Sequence, residues 1–201
     1  MSLTNDWLDT FKRVLTQPTE FFESEDRRDG FGYPLKFATI NLVISGILGA
    51  ASLVALGGAS AALEGSAASS LGIGILAVAT LILTPILGII SLLISSGLIH
   101  IFAALLGAEQ GYSETLSVME YGTAIQPITS IFSMIPLLGS LVGLIAGLYG
   151  LFIQTRGLQS FQELSLGRAL AAILLPAIII LGIVIVIIVA VIGASLATLP
   201  A

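Results

Sequence analysis

Two ionisable side chains stand out because their neighbours along the chain are mostly apolar: His100, the single histidine, and Glu120. His100 lies seven residues before Gly107, and Glu120 six residues after Glu114. On consecutive antiparallel helices each would sit roughly 10 Å inside the same boundary, at about 1.5 Å per residue. An imidazole and a carboxylate at matched depth could relay a proton or hold a ligand, because an unpaired carboxylate inside a membrane is costly. They could also simply tie two helices together, with Gln154 or Arg156 from the next segment, and this structural tie is the preferred reading.

Little else in the sequence could do chemistry. Zero cysteines exclude disulfides, thiolate metal sites and a cysteine nucleophile. A second histidine that could complete a metal site is missing, as are the zinc pattern His-Glu-x-x-His and the phosphate loop Gly-x-x-x-x-Gly-Lys. Ser195 follows Gly193 in a faintly protease-like context, but the segments place it near the opposite face from His100, too far for a catalytic pair. No catalytic residue, metal or cofactor is expected, and the protein is not expected to be an enzyme. A net charge of -5 without a dense basic cluster removes nucleic acid as a partner.

The elements that must position these residues are membrane helices. Of 201 residues 56% are apolar and 9% charged, and the mean hydropathy is +1.08, so the chain lacks the charged surface of a water-soluble domain. The expected fold is an all-α polytopic transmembrane bundle of five spans with an N-terminal amphipathic interfacial helix. The spans fall at about 37–56, 71–106, 114–135, 139–155 and 168–197, behind a cytosolic segment 1–36 that holds most of the charges. The 71–106 tract is long enough to be one span kinked at Pro85 or two short ones. Counted once, it leaves Lys12, Arg13, Arg27, Arg28, Lys36, Arg156 and Arg168 all on the N-terminal side; counted twice, it moves Arg156 and Arg168 across. The positive-inside bias selects five spans, with the N-terminus in the cytosol and the C-terminus outside a multi-pass cell-membrane protein. The Ile178 to Val191 tract would read as strand in water, but an open strand in lipid leaves its backbone unpaired, so helix is expected.

Trp7, Phe11, Val14 and Leu15 recur at helical spacing between a Thr4 or Asn5 cap and Pro18. This stripe could lie in the headgroup layer or pack against the cytosolic ends of the spans. In the fourth span Gly139, Gly143, Gly147 and Gly150 leave one face nearly bare, a pattern that brings membrane helices close. Packing inside the bundle is the preferred use, and self-association or a second membrane protein the sharper one. A weaker repeat, Gly46 with Ala50 and Gly49 with Leu53, marks the first span. Asn41, Gln126, Ser91, Ser95 and Ser96 read as hydrogen bonders between helices.

From His100 onward, the run Ile99 to Gly107, Tyr121 with Pro127, Ile135-Pro136-Leu137-Leu138-Gly139, Gly157-Leu158 and Gly167 to Leu170 resembles the Yip domain family of Ypt-interacting multi-pass membrane proteins. Trp7 to Leu15 followed by Pro18 to Phe22 is similar to the cytosolic lead-in of its prokaryotic members. The resemblance implies five spans and a cytosolic N-terminus. In eukaryotic relatives it implies binding of prenylated Rab-type GTPases in trafficking. Here the Asp-Leu-Tyr-Gly-Pro signature is missing, with Gly30-Phe31-Gly32-Tyr33-Pro34 nearby, and the short form resembles archaeal or bacterial members. A small GTPase is therefore not expected as a partner; the lipid bilayer, a second copy or another membrane protein is. The leading functional expectation is a non-enzymatic organiser of membrane proteins or bilayer shape, and the alternative a small transporter or channel component using His100 and Glu120.

Overall fold

The structure, a computed structural model, describes residues 3–24, 29–65, 67–133, 135 and 137–197. Arg27 and Arg28, the side chains of Thr4, Asn5 and Ser195, and Pro136 in the expected reversal lie outside the described residues or side chains. Among the described residues the regular structure is all helical: α1 Leu3–Thr16, α2 Pro18–Ser24, α3 Tyr33–Ser52, a π-helical turn Leu53–Gly57, α4 Gly58–Glu64, α5 Ala67–Leu105, α6 Tyr112–Gly122, α7 Ile125–Phe132, α8 Leu138–Phe161 and α9 Leu166–Ala197.

Among the described residues four helices are long and apolar enough to cross a bilayer: Tyr33–Ala61, Ala67–Leu105, Leu138–Phe161 and Leu166–Ile192. The 71–106 tract belongs to one continuous helix of 39 residues, α5, with Pro85 inside it. Pro85 cannot donate to the Leu81 carbonyl. Where that carbonyl is freed, α3 brings in Gly46, whose hypothetical Cβ would lie 3.3 Å from Leu81 O. Gly49 meets Thr80 in the same way at 3.3 Å, so the weaker glycine repeat serves the α3–α5 contact. The helix ends at Gly107, whose φ of +93° and the Ala108 N–H to Ala103 O bond of 2.9 Å make a Schellman-type stop.

The expected 114–135 span is instead two short helices, α6 and α7, meeting at Thr123–Ala124. Tight bonds from Thr123 N to Glu120 O and from Ala124 N to Tyr121 O, 3.1 Å each, close the break. Pro127 then falls in the first turn of α7, where a backbone donor has no intrahelical acceptor to miss.

The bundle has two unlike halves. At one end Val14, Phe21, Phe22, Phe37, Leu116, Tyr121, Phe161 and Ala169 join a single core, and every residue of α6 from Thr115 to Gly122 is buried. At the other end the apolar helices are largely exposed, and α9 is exposed at every position from 177 to 192, most of them Ile or Val. Exposed aliphatic surface on this scale suits hydrocarbon, not water. The described cations gather at the packed end: Arg13 donates to Ser24 Oγ (2.7 Å), Lys36 opens α3, and Arg168 Nη1 lies 3.2 Å from the hypothetical Cβ of Gly107.

Candidate functional site

The N-terminal stripe packs on the bundle. Val14 is fully buried, Trp7, Phe11 and Leu15 lie against the core, and Trp7 and Phe11 rings are 5.1 Å apart. The decisive contact is polar: Trp7 Nε1 donates to Asn41 Oδ1 (3.0 Å), and Asn41 Nδ2 donates to Thr123 Oγ1 (3.1 Å) at the helix break. Thr123 in turn donates to the Glu120 carbonyl at 2.6 Å. The outer anchor is Tyr149, whose hydroxyl donates to Leu15 O at 2.6 Å. Thus the aromatic face that could have rested among lipid headgroups is used to seal α1 against α3 and α8. Phe21 and Phe22 continue the seal, with edge-on contacts to Tyr121 at 4.8 and 6.1 Å, and Phe22 meets Phe161 at 5.4 Å.

His100 and Glu120 share α5 and α6 as neighbours but not a hydrogen bond. His100 Nδ1 lies 3.1 Å from Thr115 Oγ1, and its ring meets Tyr112 edge-on at 5.9 Å. Thr115 also accepts from Gln162 Nε2 at 2.8 Å, and the same amide nitrogen donates to Gly111 O at 2.8 Å. Since that carbonyl can only accept, the amide orientation is fixed. Tyr112 completes the cluster through Ser96 (2.9 Å) and the Leu93 carbonyl (3.0 Å). Glu120 stands five residues beyond Thr115, about 140° around the helix at about 100° per residue, so depth matched while direction did not. Its carboxylate is fully buried and hydrogen-bonds to none of the described residues. The helix tie exists, made by Thr115, Gln162 and Tyr112, which the sequence did not single out because each is an ordinary polar residue without a spacing signal.

The glycine face divides. Gly139 is needed by the reversal, since a Cβ there would stand 2.8 Å from Phe132 O. Gly150 meets Ile125 at 3.7 Å, but Gly143 and Gly147 have nothing within 4 Å, beside exposed Leu144 and Leu148. Internal packing is therefore not their use. The closest approaches come instead at Gly157, whose Cβ would lie 2.5 Å from Val118 Cγ1, and at Gly88, 2.5 Å from Leu42 Cδ2. Of the other hydrogen bonders, Asn41 and Ser96 do link helices, Ser95 bonds within its own, and the Gln126 carboxamide bonds to no described group. Gln126 and Gln154 border a cavity of about 320 Å³ at the α6–α7 break. Among the described residues no cluster of three metal-ligating side chains forms.

No curated protein and no solved structure matches the chain significantly. The Yip1 domain family matches it over residues 12–189, from the last turns of α1 into the exposed part of α9. With its apolar crossing helices and a family match over most of its length, the chain is a multi-pass membrane protein that belongs to the Yip1 domain family.

Proposed function

We propose that the protein is a non-enzymatic organiser of membrane components in the cell membrane. It holds a second copy of itself or another membrane protein through helix packing, with its N-terminus in the cytosol, its packed half toward the cytosolic face of the bilayer and its C-terminus outside. The observation that carries this reading is the unfilled glycine face of α8: Gly143 and Gly147 lie open between large exposed aliphatics. In lipid, apolar side chains gain little by clustering, and bare backbone is what lets helices approach. The cations at the packed end support the orientation through the positive-inside bias.

Crosslinking in native membranes tests it. A dimer or a defined partner should be captured by the wild-type chain and lost in both Gly143→Leu and Gly147→Leu. A strictly monomeric chain with no captured neighbour refutes the proposal. A transporter working through a His100–Glu120 pair gains no support from the geometry, because the imidazole Nδ1 meets Thr115 and the Glu120 carboxylate bonds to none of the described residues.

A further inference from the structure

We infer that the cavity at the α6–α7 break binds an uncharged hydrogen-bonding group, a hydroxyl or amide, carried by a small neutral solute or by a lipid. The cavity has a volume of about 320 Å³, and its polar lining comes from Thr84, Ser91, Ser95, Thr123, Gln126 and Gln154. None of its lining residues is Asp, Glu, Lys, Arg or His. Along α5 it extends from ten to 21 residues before Leu105, roughly 15 to 32 Å from the packed end at about 1.5 Å per residue. That depth belongs to the hydrocarbon layer, where polar side chains need partners.

The partners inside the protein do not suffice. Thr123 is committed to Asn41 and the Glu120 carbonyl, and Ser95 to the Leu92 carbonyl at 3.2 Å. The carboxamides of Gln126 and Gln154 hydrogen-bond to none of the described residues. Each carboxamide offers two N–H donors and an acceptor oxygen, so the pair suits a group that both donates and accepts. A cation would find no carboxylate here and an anion no ammonium or guanidinium, which leaves neutral ligands.

The backbone is shaped to keep this space. Gly122, the last residue of α6, lets Gln154 lie across the break: a Cβ there would stand 3.1 Å from both Cγ and Nε2 of Gln154. Gly88 opposite gives Leu42 the room to form an apolar wall. A space of about 320 Å³ has room for several waters, and polar walls favour hydration where aliphatic ones would leave it dry. This inference does not depend on the proposed organising role.

The natural absence of cysteine makes the test direct. Single variants at the exposed lining positions, Ser91→Cys and Ser95→Cys, with Glu109→Cys in the aqueous loop and Ile90→Cys, an exposed α5 position outside the cavity lining, as references, are placed in phosphatidylcholine liposomes. They are then treated with a small neutral methanethiosulfonate. Because a hydrated thiolate attacks the reagent sulfur and displaces methanesulfinate, both cavity positions should react at least about tenfold faster than Ile90→Cys. Glycerol in the buffer, or dioleoylglycerol in the bilayer, should slow them saturably, while sodium chloride should not. Protection by glycerol alone identifies a soluble ligand, by dioleoylglycerol alone a lipid hydroxyl, and by both a site open to either. Fast labelling with no protection by either probe, or labelling as slow as at Ile90→Cys in both cavity variants, overturns the inference.

Discussion

Gly157 is where the packed half can be probed most sharply. A methyl group on Gly157 would lie 2.5 and 2.9 Å from the two γ-carbons of Val118 and 3.0 Å from Cζ of Phe22. Carbon atoms prefer about 3.5–4.0 Å, so the closest approach is short by about 1 Å or more. Val118 and Phe22 are 0% and 1% exposed, leaving neither an easy escape. Overpacking of this kind costs about 1–3 kcal/mol. Replacing glycine by alanine inside a helix returns about 0.5–1 kcal/mol. Gly157→Ala should therefore destabilise by about 1–2 kcal/mol. On the same helix Gly143→Ala meets nothing within 4 Å and should be neutral or slightly stabilising. Val118→Ala on its own costs about 1–3 kcal/mol for the emptied space, yet combined with Gly157→Ala it should recover much of the loss, giving a coupling of about 1 kcal/mol. Equilibrium unfolding in mixed micelles reads all four. Equal effects of the two glycine variants, or strict additivity of Gly157→Ala with Val118→Ala, would refute the close approach of α6 to α8.

Two further perturbations address the N-terminal seal. Trp7→Phe keeps most of the ring but strands the buried Asn41 oxygen, and should lower stability in the same assay by about 1–3 kcal/mol; no change would mean that α1 is not anchored at Asn41. Phe21→Ala empties a site 1% exposed between Phe22 and Tyr121 and should cost about 3–5 kcal/mol, with faster proteolysis of α1, whereas a loss under about 1 kcal/mol would place Phe21 outside the core.

The long apolar tracts were legible because hydrophobic length is a one-dimensional property: the limits of α5 and α9 fall within a few residues of those expected. Direction around a helix was not. The spacing of Gly139, Gly143 and Gly147 announces a bare face but not whether protein or lipid covers it, and Gly157 and Gly88, which do admit neighbours, belong to no repeat. His100 and Glu120 failed as a pair for the same reason, since equal depth leaves the angle between helices free. The break after Gly122 had a signal in Pro127, but proline also sits inside the unbroken α5 and α9, so proline alone does not separate a kink from a stop. The Trp7–Asn41–Thr123 chain joins residues 34 and 82 positions apart, beyond any local pattern.

A bundle that crosses the bilayer with its cation-bearing packed half on the cytosolic face is tested most directly by sidedness. Single cysteines in place of Glu109 and Glu163, in the loops of the packed end, and of Gly65 and Leu137, in the loops of the opposite end, can be labelled in sealed vesicles of known orientation with an impermeant thiol reagent. The first two should label only from the cytosolic side and the second two only from the outside. Labelling of Glu109→Cys and Glu163→Cys from opposite sides, or of Glu163→Cys and Leu137→Cys from the same side, would contradict it.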